Sequence, residues 1–382
     1  MREVAIVAAG MTRFGELWGA SLRDLFVEAA QQALTAAGAD HLDAIYVGNM
    51  SAGQFVGQEH LGPLMADHLG MAGVPCVRVE SACASGGVAL RTAFLEVACG
   101  ASDLVLAAGV EKMTDGADVT EVLASASDQE TEVYNGATFP ALYALIARAH
   151  MAEYGTTEED LAWVSVKNHR HGALNEHAQF QREVTTDQVL NSALVSEPLR
   201  LLNCSPVSDG AAAVLLCPLD QASKYTERPV VIRGTAMATA SMALTDRRDM
   251  AFLDSVAAAG ARAYEMAGIG PEQVDVAEVH DCFSIAEICC IEALGIAPPG
   301  EGRHCARTGE TALGGRIPVN TSGGLKSKGH PVGATGIAQA VELFEQLTGA
   351  SGDRQVPGAE IGLAQNMGGT GASSVVHILQ AV

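Results

Sequence analysis

The chain has 382 residues, of which 48% are hydrophobic, 18% charged and 4% aromatic, and its formal net charge is -22. This apolar fraction supports a packed core and excludes a disordered chain or a scaffold that needs disulfides to fold. With 23 Lys and Arg against 45 Asp and Glu, the basic charge that nucleic-acid binding draws on is lacking overall.

At about 150 residues per domain, the length predicts two or three domains or one large α/β unit. No run approaches the eighteen apolar residues a membrane helix needs, and the apolar stretch in MREVAIVAAGMTRFG is too short for a signal peptide and reads as a first strand. Nine cysteines, an odd number without a CxxC pair, predict a reduced, cytoplasmic protein.

In chain order, Val- and Ile-rich runs alternate with Ala-rich stretches, the pattern of strands covered by helices on both faces, so the class is α/β. The first half predicts strands at VAIVAAG from Val4, AIYVGN from Ala44, CVRVE from Cys76, LVLAAG from Leu104 and AAAVLLC from Ala211. Ser21 and Gly38 bracket a capped helix, and GGVALRTAFLEVACG after Cys83 has helical spacing. From about Asp115 to Asn203 the rhythm breaks, which predicts an inserted subdomain. The second half predicts strands at VVIRG from Val230, VDVAEVH from Val274, RIPVN from Arg316, IGLAQN from Ile361 and SSVVHIL from Ser373, with a helix after Gly333. Five strands in a similar order in each half suggest an internal duplication, residues 1–220 and 221–382, packed as one body.

Four motifs carry candidate chemistry. VESACASGG runs a strand into a helix through Cys83, where unpaired N–H groups and the helix dipole favour a thiolate nucleophile; a cysteine packed in a tight turn fits the same motif. VAEVHDCF sets His280 and Cys282 two apart, a spacing at which a histidine can fix a water or carbonyl oxygen and a thiol can move a proton, although a His-Asp pair at a helix start also serves as capping. Cys289 and Cys290 read as core. GGLKSKGHPVGATG presents His330 between Gly329 and Pro331, without the Lys-Ser/Thr ending of a phosphate loop. NMGGTGAS offers a turn at Gly368, Gly369 and Gly371, either hairpin chemistry or bare N–H groups for an oxyanion. His169, His171 and His177 lack zinc spacing and read as a solvated polar face, and no G-x-G-x-x-G fingerprint is present.

Together these motifs, with CSPVSDGAAAVLL from Cys204, resemble the thiolase superfamily, specifically its sterol-carrier-protein-type and archaeal acetoacetyl-CoA members, and the resemblance runs from Val4 to the C-terminus. It implies two βαβαβαββ halves related by a pseudo-twofold in five αβαβα layers, with a loop domain inserted at about 115–203. It also implies that Cys83 accepts the acyl group and that His330 activates it. The N–H groups of Cys83 and Gly368 would form one oxyanion hole, and His330 with a water held by His280 the other. Biosynthetic relatives carry an acid/base cysteine in a C-x-G turn where this chain has Asn366, Met367 and Gly368. They have Asn-Glu-Ala-Phe in place of His280 to Phe283, so Cys282 is expected to take over proton transfer.

The implied activity is acetyl-CoA C-acetyltransferase, condensing two acetyl-CoA to acetoacetyl-CoA by ping-pong transfer, or the reverse thiolysis. Coenzyme A esters are the substrates, with no further cofactor and no metal. Alternatives are a thiolase-fold aldolase acting on steroid side-chain CoA esters, or a non-catalytic lipid-carrier or scaffold subunit. The resemblance further implies a homodimer or dimer of dimers. Its implied partners are a 3-hydroxy-3-methylglutaryl-CoA synthase, in the mevalonate pathway, and a bridging protein with an OB-fold and zinc ribbon; no nucleic acid and no membrane are expected. Because CoA is anionic, a net negative enzyme needs a local basic patch, for which Arg247, Arg248, Lys167 and Arg182 are the candidates.

Overall fold

The computed structural model describes all residues, 1–382. Eleven strands form: β1 Val4–Met11, β2 Ala44–Gly48, β3 Cys76–Val79, β4 Val105–Glu111, β5 Leu194–Ser196, β6 Leu199–Arg200, β7 Gly210–Pro218, β8 Val230–Thr239, β9 Val276–Glu278, β10 Ile361–Gly368 and β11 Ser373–Ala381. Nine of them join one ladder in the order β3-β2-β4-β7-β1-β8-β11-β10-β9, while β5 and β6 pair separately.

The duplication is written in the sense of each pairing. Outward from β1, the neighbours β7 and β4 are antiparallel and β2 and β3 parallel. Outward from β8, β11 and β10 are antiparallel and β9 parallel, and a parallel bridge from Ala277 to Val319 stands where β3 would. The strand expected at RIPVN therefore shrinks to that one bridge. The halves meet at β1 and β8 through only two pairs, Ala5 with Val231 and Ile6 with Val230.

Period-two alternation sorts side chains into layers. Ala5, Val7, Ile45, Val47 and Leu106 face one way and pack with the helix Leu22–Ala37. Val4, Ile6, Val105 and Ala107 face the other way, into a core shared with the helices Ser85–Cys99 and Thr335–Thr348 and with Ile232, Val276 and Ala364 of the second half. On the far side, Ala236, Val376 and Ile378 pack with the helices Asp254–Ala267 and Ser284–Ala293. Five layers result, with the helices that follow Cys83 and His330 in the middle one. The helix 22–37 starts with a Ser21/Asp24 capping box and stops at Gly38 with φ 62°, as its sequence predicts.

The central helix corrects one expectation. Ala82–Cys99 is long and apolar enough, by composition, to cross a membrane, but 61% of that window is buried inside the protein, so its hydropathy is that of a core helix packed between two sheets. Between β4 and β7 the chain forms, among shorter pieces, the helices Phe139–Tyr154 and Glu158–Gly172 and the β5–β6 hairpin, which pack against the second half.

Candidate active site

The Cys83 turn is held by its own side chains. Ala82 sits at φ 48°, a left-handed conformation that costs a non-glycine residue about 1–3 kcal/mol and persists only where surroundings enforce it. The enforcing contacts are Ala82 N–H to Glu80 at 2.6 Å, Ser81 N–H to Ser85 Oγ at 2.9 Å, and Ser85 Oγ–H back to Ala82 C=O at 2.5 Å. The result lifts Cys83 off the strand at the mouth of the helix 85–99.

His330 arrives from the second half in the corresponding place, after Gly329 at φ 112°. Its N–H donates to Ser208 Oγ at 3.0 Å. Thr335 Oγ1 donates to Pro331 C=O at 3.1 Å and lies 2.7 Å from His330 Nδ1. With the single hydroxyl proton on that carbonyl, the oxygen accepts from Nδ1–H and leaves Nε2 bare. The two helix starts touch. A Cβ on Gly86 would lie 2.7 Å from Gly333 C=O, and one on Gly336 would lie 2.2 Å from Gly87 N, so only glycine permits this approach. Buried Glu111 ties the region together by accepting from Met50, Ser51 and Gly333 N–H groups, and burial pushes its carboxyl up to about 7.

Cys83, His280 and His330 each present an atom within 4.8 Å of the others, and all three are buried. The imidazoles pack edge to face, with centroids 5.0 Å apart. Burial pushes the Cys83 thiol up to about 12, pulls His280 down to about 3 and holds His330 well below the usual histidine value. Burial thus works against the thiolate that the helix start favours, and it favours the neutral form of both groups. Cys282 is buried on the same pocket, its thiol also pushed up by burial, with the Tyr143 hydroxyl beside it acting in the opposite direction.

In the glycine turn, Gly368 is the last residue of β10, opposite Ser373, and the Gly369 N–H acts on the Cys83 thiol, holding it down against burial. Gly369, not Gly368, lines the pocket, because the hairpin turns into the left-handed region at Gly369, φ 61°.

That pocket has a volume of about 250 Å³ and is mostly apolar, with 13 hydrophobic residues among its 19. Cys83, Cys282, His330 and Gly369 share it with Phe139 and Tyr143 from the segment between β4 and β7. Tyr143 stacks on Phe283 at 4.5 Å and donates to Gly369 C=O at 2.9 Å, so it braces both the thiol-bearing and glycine turns. The sequence reading missed Tyr143, which sits in an amphipathic stretch with no catalytic signature. It noted Asn366 only for the cysteine it replaces; adjacent Gln365 and Asn366 in an otherwise apolar buried strand were the available signal.

None of the four basic candidates lines the pocket. Lys167 is fully buried, paired with Glu287 at 3.0 Å and donating to Val319 C=O at 2.6 Å, so it is a structural ion pair with no ammonium free for a phosphate. Arg247 is spent on Thr370, at 2.8 Å to its carbonyl and 2.7 Å to its hydroxyl, clamping the glycine turn. Arg248, 3.4 Å from Asp254, and Arg182, stacked over Phe180, remain on the surface. The expected solvated histidine face is also overturned. His169 and His171 are buried, and His171 bridges Asn320 C=O at 3.0 Å and Leu313 N–H at 3.1 Å.

Comparison with known proteins settles the family. The thiolase N-terminal domain matches residues 4–220 and the thiolase C-terminal domain-like family residues 236–381. The chain belongs to the thiolase family. This thiolase is 54% identical over 380 residues to the acetyl-CoA acetyltransferase of Methanothermobacter thermautotrophicus, covering 99% of each chain. It is 48% identical over 391 residues to the acetyl-CoA acetyltransferase of Methanocaldococcus jannaschii, again covering 99% of each. Among solved structures it resembles the Ltp2-ChsH2(DUF35) aldolase, with TM-score 0.87, 25% identity and coverage of 99% of this chain and 98% of that one.

Proposed function

We propose that this thiolase is an acetyl-CoA C-acetyltransferase working by ping-pong transfer through an acetyl-Cys83 intermediate, in either the condensing or the thiolytic direction. The observation that carries the reading is that Cys83 and His330 meet, both buried, on one pocket with a second buried thiol, Cys282.

Cys83 attacks the thioester carbon of acetyl-CoA while its proton passes to His330 Nε2. The N–H groups of Cys83 and of the Gly368–Gly369 turn receive the oxyanion. As the tetrahedral intermediate collapses, the C–S bond to CoA breaks and Cys282 gives its proton to the departing sulfur. The Cys282 thiolate, beside the Tyr143 hydroxyl, then takes a proton from the α-carbon of a second acetyl-CoA. The enolate oxygen is held by the His330 imidazolium and, through a water, by His280. Attack on acetyl-Cys83 forms the carbon–carbon bond, the Cys83 sulfur leaves and recovers its proton from His330, and acetoacetyl-CoA is released. Coenzyme A esters are the only small molecules this scheme requires, with no metal.

Free thiols throughout support a reducing, cytoplasmic setting. A homodimer is supported by β3, an edge strand with its outer ladder unpaired and Val77 52% exposed, beside the Cys83 turn. The resemblance to an aldolase complexed with a DUF35 protein supports a bridging partner of the OB-fold and zinc-ribbon kind, which would link this enzyme to a synthase consuming acetoacetyl-CoA in the mevalonate pathway.

Radiolabelled acetyl-CoA tests the scheme. Label is expected on wild type and, formed more slowly because the departing CoA loses its proton donor, on Cys282→Ala, but not on Cys83→Ala, with condensation lost in both variants. Normal condensation by Cys282→Ala would sink its assignment, and an unlabelled wild type would favour the aldolase or carrier reading.

A further inference from the structure

Asn366 occupies the β10 position where biosynthetic relatives carry their acid/base cysteine, and its amide has three contacts to account for. Gly87 N–H, in the first turn of the helix 85–99, donates to Oδ1 at 3.1 Å. Nδ2 donates to Cys83 C=O at 3.0 Å and lies 3.1 Å from His280 Nδ1. A backbone donor on one side and a backbone acceptor on the other leave the amide one orientation, because a flipped amide would set N–H against N–H and oxygen against oxygen. Nδ2–H therefore faces His280 Nδ1, which must accept. A neutral imidazole that accepts at Nδ1 carries its proton at Nε2. That Nε2 is buried without a hydrogen-bond partner, on the ring that meets Cys83 and His330.

We propose that Asn366 is a positioning residue that locks His280 in the Nε2–H tautomer, opposite to that of His330, so that one imidazole of the pair accepts a proton while the other can only donate a hydrogen bond. The fixed tautomer separates two roles that adjacent histidines would otherwise exchange. His330, with its proton on the Thr335 side, faces Cys83 as the base; His280 offers a proton toward the enolate oxygen without competing for the Cys83 proton. The buried environment keeps His280 from taking a second proton, in line with the downward push on its pKa.

The kinetic part of this inference rests on the acetyl-transfer reading of the site; the tautomer itself does not. The decisive measurement is a long-range ¹H–¹⁵N correlation spectrum of the whole enzyme labelled with ¹⁵N-histidine, with His280 assigned by its loss in His280→Gln. The expected result is a proton on Nε2, unchanged between about pH 6 and 9; a proton on Nδ1 overturns the proposal. The variants Asn366→Asp and Asn366→Ala both lose the bond to Cys83 C=O, but only the carboxylate draws the ring proton to Nδ1 and bares Nε2. At high pH, Asn366→Asp is expected to condense acetyl-CoA at least tenfold more slowly than Asn366→Ala. It should regain activity toward pH 6, as the ring takes a second proton and Nε2 is again a donor, while wild type shows no such limb. A purely structural role predicts that Asn366→Asp shows no recovery toward pH 6, and that outcome overturns the proposal. Failure of wild type to form acetyl-Cys83 would instead remove the functional reading and leave the spectroscopic result standing.

Discussion

The two helix starts at the centre of the molecule are the same device used twice with different chemistry. In the first half a turn with a left-handed residue, Ala82, delivers Cys83 to the helix 85–99; in the second, a left-handed Gly329 delivers His330 to the helix 335–348. Both are covered by the opposite half, and burial acts on each in the direction that favours the neutral form, lifting the thiol and lowering the imidazole. Burial thus works against storing the nucleophile as a thiolate. Its activation is a proton transfer between two desolvated neutral groups, made during the attack itself, which keeps a reactive sulfur quiet until an acyl group arrives.

Forcing the two starts apart is the strongest way to break this arrangement. A methyl group on Gly336 would lie 2.2 Å from Gly87 N and 2.3 Å from Asn366 Oδ1, neither of which is a flexible chain end. Gly336→Ala is expected to cost about a hundredfold in turnover, the order of loss that follows a displacement of about 1 Å between reacting groups. Steady-state condensation, with circular dichroism to confirm folding, checks this. Near-normal turnover would mean that the two turns need not touch.

The neutral-pair reading is sharpened by alkylation. With its pKa near 12, the Cys83 thiolate fraction should climb about tenfold per pH unit through pH 7 to 10, so iodoacetamide should inactivate the free enzyme at a rate that keeps rising over that range. A plateau already reached near pH 7 would indicate a preformed thiolate–imidazolium pair and would restore the helix start as the dominant influence.

How much of this could be read from the residues alone depended on whether the signal was local. Strand-helix alternation and glycines beside Cys83 and His330 are local, and the layered fold and reacting pair follow from them. The fifth strand of the second half was overread, because RIPVN has strand composition but bridges the sheet only at Val319, while the Ile317 and Val319 N–H groups donate back to the Glu310 and Thr311 carbonyls. That Gly369 also reaches the pocket is a matter of one peptide in a hairpin, set by a left-handed φ that composition does not encode. Tyr143 and Asn366 act across the fold, Tyr143 on Gly369 and Asn366 on Gly87, Cys83 and His280; nothing near them in sequence announces such partners.

Charge was the least legible property, and Lys167 shows why. In sequence it lies within a polar, basic stretch and looks available to a phosphate, yet the helix 158–172 turns it inward to Glu287, which also accepts from Asn168 and Asn320 at 2.8 Å each. Removing one member of such a buried pair leaves the other uncompensated, at a cost of about 3–5 kcal/mol. Lys167→Met should therefore lower the Tm by several degrees while leaving the KM for acetyl-CoA unchanged in the folded fraction, the smallest catalytic effect expected of any change considered. Thermal unfolding alongside saturation kinetics separates the cases: a raised KM at unchanged Tm would put Lys167 back on the CoA surface, whereas a lowered Tm alone leaves phosphate recognition to basic groups outside the pocket wall.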